Sequence, residues 1–161
     1  MAAFDPHRPP DQDIIDDCVH CGFCLDTCPT YVLWQNEADS PRGRIVLMGE
    51  ALTSASELSP QMVTHFDRCL GCMACVSACP SGVRYDRLIE RVRPQVERHH
   101  HRTAVERALR LTLFETLPYP RRLRALAATL PAARRLGLER LPGRLGAMLR
   151  LAPRARLRDA L

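Results

Sequence analysis

The chain has no lysine; all 23 of its basic residues are arginine. Aromatic residues are few, with 4 Phe, 3 Tyr and 1 Trp. No stretch approaches 18 uninterrupted apolar residues, so nothing reads as a membrane-spanning helix. The first ten residues carry Pro6, Pro9 and Pro10 and no apolar run, so they do not form a signal peptide. The cytoplasm is therefore the expected site. No glycine-rich phosphate loop, catalytic triad or paired carboxylate site is visible, so chemistry on a carbon substrate is not expected from these residues. At 161 residues the chain is one domain, or one small domain with an extension.

What is present is concentrated in two runs that hold all 8 cysteines. The first is Cys18-Val19-His20-Cys21-Gly22-Phe23-Cys24-Leu25-Asp26-Thr27-Cys28-Pro29. The second is Cys69-Leu70-Gly71-Cys72-Met73-Ala74-Cys75-Val76-Ser77-Ala78-Cys79-Pro80. Both have the spacing C-x2-C-x2-C-x3-C-P, the iron–sulfur run of bacterial ferredoxins. Three cysteines two residues apart let one tight loop hold three corners of a cubane. In that pattern the fourth cysteine ligates the other of two clusters. The expected cofactors are thus two 4Fe–4S clusters. One takes Cys18, Cys21, Cys24 and Cys79; the other takes Cys69, Cys72, Cys75 and Cys28. Zinc knuckles lie farther apart and lack the trailing Cys-Pro, and disulfides would need an oxidising compartment.

The charge is lopsided. Residues 1–86 carry 5 Arg against 12 acids, a net of −7, and residues 87–161 carry 18 Arg against 6 acids, a net of +12. An acidic redox module is followed by an arginine-rich one, which points to a charged partner.

Along the chain, residues 1–10 read as a flexible arm. Asp11 is placed to cap a short helix through about Asp17, with Ile14 and Ile15 inward. Asp16 and Asp17 precede the first cysteine, where their charge would lower that cluster's potential if they are not simply a solvated helix end. Thr30 to Trp34 is expected to wall a cluster from water, with Trp34 in the core. Ser40-Pro41 starts a helix carrying Ile45, Leu47, Met48, Ala51 and Leu52. Arg42, Gly43 and Arg44 break the rules of a first turn. Two explanations stay open: a close backbone approach with arginines facing a cluster or carboxylate, or simple pairing with acidic neighbours. A second capped helix starts at Ser59-Pro60. A third begins near Arg84, with Leu88, Ile89, Val92 and Val96 on one stripe and Pro94 as a kink. His99 to His101 reads as solvated helix surface, with metal binding as the alternative. Beyond Thr103, Val105, Leu109, Leu113, Phe114 and Leu117 share a face, followed by Leu123, Leu126, Ala127 and Leu130. Prolines at 118, 120, 131, 142 and 153 are expected to cut this region into short amphipathic helices.

The expected fold is all-α: an α-helical ferredoxin-type domain over residues 11–95, then an arginine-rich helical extension over 96–161. The two cysteine runs, with Thr30-Tyr31, Pro41-Arg42-Gly43-Arg44-Ile45, Asp67-Arg68 and Ser81-Gly82-Val83-Arg84-Tyr85, are similar to the iron–sulfur subunit family of bacterial glycolate oxidase. The likeness covers roughly residues 12–90 and only loosely the family's linker after them. It implies an electron-transfer subunit of an oxidoreductase complex. An FAD-containing dehydrogenase subunit would oxidise glycolate, and this chain would pass the electrons on. A third subunit or a cysteine-rich protein would be the further partner, with the inner face of the plasma membrane as a peripheral docking option. Family members continue into two cysteine-rich repeats. No cysteine follows Cys79 here, so a fragment, a split product or a shortened homologue is expected. Anaerobic glycerol-3-phosphate dehydrogenase, lactate-utilisation and heterodisulfide reductase subunits are the related alternatives. A redox-sensing nucleic-acid-binding protein is the alternative of another class. It is disfavoured by the prolines, the apolar stripes and the lack of a binding motif, so no nucleic acid is expected.

Overall fold

The structure, a computed structural model, describes residues 3–54 and 57–151, with the backbone alone for residues 144 and 145. Among the described residues it is helical without strands, the all-α architecture expected. Two compact units divide it, residues 1–101 and 102–161. The first contains α1 (Gln12–Asp16), α2 (Pro29–Trp34), α3 (Pro41–Thr53), α4 (Pro60–Arg68), α5 (Ala74–Ser77) and α6 (Tyr85–His99). The second contains α7 (Ala104–Thr116), α8 (Pro120–Arg135) and α9 (Arg144–Leu151).

Helix starts follow local chemistry. The Ser40 hydroxyl accepts from the Gly43 N–H at 2.9 Å, and Pro41 fills the first position of α3, where no donor is lost. Ser59 and Pro60 repeat the device at α4, with the Met62 N–H donating at 3.2 Å. Gly43 is required for another reason. A Cβ there would lie 2.0 Å from the Glu37 carbonyl oxygen. The missing side chain lets the 3-10 turn Glu37–Asp39 press on the first turn of α3. The close backbone approach expected at Gly43 is therefore present.

The core of this unit lies between α3, α4 and α6. Ile45, Met48 and Ala51 meet Val63, Phe66, Leu88, Ile89, Val92 and Val96, all buried. These are the apolar stripes of the sequence, and their burial removes water from the helix faces. Ile15 joins them from α1. Pro94 lies inside α6, which continues through it. The division expected between residues 95 and 96 falls within this helix.

Residues 3–10, expected to be flexible, lie against α6. Ala3 and Phe4 belong to the core, Phe4 only 7% exposed. Gln95, buried among apolar neighbours, accepts from the Asp5 N–H at 3.0 Å and donates to the His7 carbonyl at 3.0 Å. Arg98 donates to Asp5 at 3.0 Å and His99 bonds it at 2.9 Å. The prolines concealed this docking, which rests on one aromatic ring and one carboxylate. His99 and Arg98 hold the Asp5 carboxyl well below the usual carboxylate range. His99 thus works as an anchor for the arm.

In the second unit, Thr103 caps α7 through the Glu106 N–H at 3.3 Å, and Pro120 opens α8. Pro131 lies inside α8 and does not end it, contrary to expectation. Pro153 lies outside the described residues. Val105, Phe114, Leu117, Leu123 and Leu126 are exposed, while Leu109, Leu113, Ala127 and Leu130 are half-buried, so the apolar faces of these helices are only partly covered.

Candidate metal centre

Each cysteine run begins at a helix end. Cys18 follows α1, and Cys69 is the C-cap of α4. Both loops then adopt left-handed backbone at the second and fourth residues after the first cysteine. In the first loop these are His20 (φ 55) and Gly22 (φ 88); in the second, Gly71 (φ 66) and Met73 (φ 59). This repeated reversal winds each loop tightly, as three closely spaced ligands demand. A non-glycine residue held there is strained, by about 1–2 kcal/mol each for His20 and Met73. Arginine side chains brace both loops. Arg42 lies against Gly22 and donates to the His20 carbonyl at 2.9 Å; Arg93 lies against Gly71 and donates to the Cys69 carbonyl.

Two clefts result. One is lined by Cys18, Cys21, Cys24 and Cys79. The other is lined by Cys28, Cys69, Cys72 and Cys75, and encloses roughly 330 Å³ including its open mouth. Cys28 has left its own loop for the second cleft, and Cys79 has left its own for the first. All eight are free thiols.

The second cleft is backed by a buried polar network. Arg44 is 1% exposed and Asp39 0%. The Arg44 guanidinium donates to the His65 carbonyl at 2.7 Å and to the Thr30 hydroxyl at 3.1 Å, and comes within 3.9 Å of the Cys28 sulfur. Asp39 faces Arg44 at 3.6 Å, Arg68 at 2.8 Å and the His65 ring at 2.9 Å. Tyr85, also buried, donates to the Cys69 sulfur at 3.7 Å.

These surroundings act on the thiols. Burial opposes ionisation of Cys28, but the Thr30 hydroxyl, the Tyr31 and Thr30 amides and the Arg44 charge outweigh it and hold its thiol below the usual cysteine value. Burial, with the neighbouring Cys69 and other thiols, pushes Cys75 up to about 12. Burial likewise raises Cys24, with Cys18 and Cys21 adding to it. Thiols crowded in this way ionise together only when a cationic centre joins them, and a coordinating thiol is deprotonated outright by its metal. Four soft donors around each cleft fit an iron–sulfur cluster in each.

Residues 17–83 match the 4Fe-4S dicluster domain, and residues 105–160 match the glycolate oxidase iron-sulfur subunit linker region. The glycolate oxidase iron-sulfur subunit of Escherichia coli (strain K12) is 46% identical over 115 residues, which is 71% of this chain and 28% of that protein. The probable counterpart of Bacillus subtilis (strain 168) is 37% identical over 145 residues, 89% of this chain and 32% of that protein. The chain belongs to the glycolate oxidase iron–sulfur subunit family. It spans less than a third of the length of those two relatives. A polyferredoxin of Methanothermobacter marburgensis is 33% identical over 67 residues, 42% of this chain and 11% of that protein. No solved structure matches the chain. The linker match gives this region a firmer tie to the family than its loose likeness suggested.

Several neighbouring residues differ from the sequence reading. Of Thr30 to Trp34, only Thr30 is buried. Val32, Leu33 and Trp34 point outward along a short helix and do not wall a cleft. Trp34 is 45% exposed, with the Arg68 guanidinium 4.5 Å from its ring centre, so it is not a core residue. Arg42 and Arg44 fulfil both expectations: each is near a cleft and each faces a carboxylate, Glu37 or Asp39. Asp39, His65 and Tyr85 were not foreseen as functional. The only signal for Asp39 was its place just before the Ser40-Pro41 cap.

Proposed function

We propose that this chain is the electron-transfer part of an FAD-linked 2-hydroxy-acid dehydrogenase complex, with glycolate as the first substrate and lactate as the second. The observation that carries it is the pair of clefts with four cysteines each, Cys28 and Cys79 exchanged between them. Cys18, Cys21, Cys24 and Cys79 would hold one 4Fe–4S cluster, and Cys69, Cys72, Cys75 and Cys28 the other. Bound clusters supply one-electron storage at two sites, which converts the two-electron output of a flavin into single electrons.

The chain's own residues do the rest. The cysteine thiolates fix the two sites. Val19 and Phe23, both exposed, sit in the loop of the first cleft and offer an apolar contact for the flavin subunit. Arg42 is 28% exposed there and is suited to the same contact, whereas the buried Arg44 is not. The cluster-bearing module would be residues 1–101, since the arm docks on α6 and α6 crosses the boundary at 95–96. Residues 102–161, arginine-rich and with partly exposed apolar faces, would dock on a protein partner of the complex. Among the described residues, no helix is long and apolar enough to cross a membrane.

The test supplies the flavin subunit and follows the iron–sulfur absorbance by stopped flow. Glycolate should bleach it. Bleaching by glycerol 3-phosphate and by no hydroxy acid would move the chain to the related dehydrogenase.

A further inference from the structure

We propose that the second site is the electron sink of the pair: Arg44 and Tyr85, buried against Cys28 and Cys69, give the cluster held by Cys28, Cys69, Cys72 and Cys75 the higher reduction potential. This rests on the two-cluster reading above. It adds an order to the two sites and names the residues that set it.

Reduction adds one negative charge. Burial alone disfavours that charge; nearby cations and donors to the sulfurs favour it. At the second site both favourable groups are built in. The Arg44 guanidinium lies 3.9 Å from the Cys28 sulfur and the Tyr85 hydroxyl 3.7 Å from the Cys69 sulfur. The Thr30 hydroxyl lies 3.2 Å from Cys28 and 2.7 Å from the Asp39 carbonyl, and when its proton turns to the sulfur it acts in the same direction. Asp39 does not cancel Arg44. It is shared with Arg68, which leaves two guanidinium groups against one carboxylate. Arg93 at the Cys69 carbonyl is exposed and has its counterpart in Arg42 at the His20 carbonyl of the first loop, so it is not counted.

The first site lacks the side-chain donors. Among the described residues, no side chain donates a hydrogen bond to the sulfurs of Cys18, Cys21, Cys24 or Cys79. The amides of Arg42 and Cys24 on the Cys24 sulfur match those of Tyr31 and Thr30 on Cys28 and do not separate the sites. Arg42 is there, but it is partly exposed and neutralised by Glu37. Asp16 and Asp17 stand exposed beside Cys18 and oppose an added electron, two acids against the single exposed Asp67 before Cys69. Exposed charges are screened by water and salt, whereas the buried pair at the second site is not. The difference therefore favours the second site. Electrons entering near Val19 and Phe23 would collect beside Arg44.

The experiment is an EPR-monitored potentiometric titration of the full chain after anaerobic reconstitution. Tyr85→Phe keeps the ring in the core and removes only the donor. It should lower the upper wave by about 59 mV, a tenfold change in a one-electron equilibrium, and leave the lower wave in place. Asp17→Asn should raise the lower wave alone. A Tyr85→Phe protein with eight irons whose upper wave stays put, or whose lower wave moves instead, overturns this proposal and leaves the two-cluster reading intact. A wild-type chain that takes up only four irons overturns the two-cluster reading itself.

Discussion

Gly43→Ala tests whether the turn at Glu37–Asp39 is held by a bare backbone contact. Two effects compete. Alanine is the better helix former, and the exchange in a helix interior gains about 1 kcal/mol. The new methyl would meet the Glu37 carbonyl oxygen at 2.0 Å and its carbon at 2.7 Å. Both are backbone atoms, so no side chain can swing away. Overpacking costs about 1–3 kcal/mol, and a contact this close belongs at the upper end. The net is a loss of about 2 kcal/mol. For a unit of this size that lowers the thermal midpoint by roughly 8–16 °C. Gly49→Ala supplies the internal control. Its methyl would meet Ile15 at an ordinary 3.6 Å in the same helix. With no clash, the propensity gain of about 1 kcal/mol should raise the midpoint by roughly 4–8 °C. The assay is circular dichroism at 222 nm on anaerobically prepared protein at one scan rate. A Gly43→Ala midpoint equal to or above wild type would refute the packing argument.

Cys28→Ser should halve the iron content, to about four per chain, and leave the site of Cys18, Cys21, Cys24 and Cys79 loaded; loss of that site instead would overturn the exchange of ligands. Asp39→Asn leaves the Arg44 guanidinium buried without its counter-charge, which costs about 3–5 kcal/mol. Its thermal midpoint should fall by more than 10 °C, and an unchanged midpoint would mean that the network carries no weight. The Asp5 carboxyl is held down by His99 and Arg98, so its hold on the arm is complete above the ordinary aspartate value of 3.8 and is lost as pH falls below it. Limited proteolysis between Phe4 and Asp11 should therefore be slow at about pH 5 and speed up as the pH falls below the ordinary aspartate value, and Asp5→Asn should already be cleaved fast at about pH 5.

Much of the fold was legible because its signals are local. Ser40-Pro41 and Ser59-Pro60 mark helix starts through one hydroxyl and one ring each. The stripe Leu88, Ile89, Val92 and Val96 marks a buried face by spacing alone. The cysteine runs carry their chemistry in the spacing too. What escaped depends on partners far apart in the chain. Asp39 reads as a loop acid until Arg44, His65 and Arg68 close around it. Phe4 follows only three residues and precedes prolines, so nothing local says that it is buried. The size of Trp34 points to the core, but α2 is too short to turn every bulky residue inward. Pro131 reads as a helix end, but α8 runs through it.

The central claim is two clusters on eight thiols. Chemical analysis of iron and acid-labile sulfide in anaerobically reconstituted protein, with Mössbauer spectroscopy on the same sample, addresses it directly. The account predicts about eight irons and eight sulfides per chain, all in 4Fe–4S signals. Bound zinc without sulfide, or disulfides among these cysteines, would contradict it.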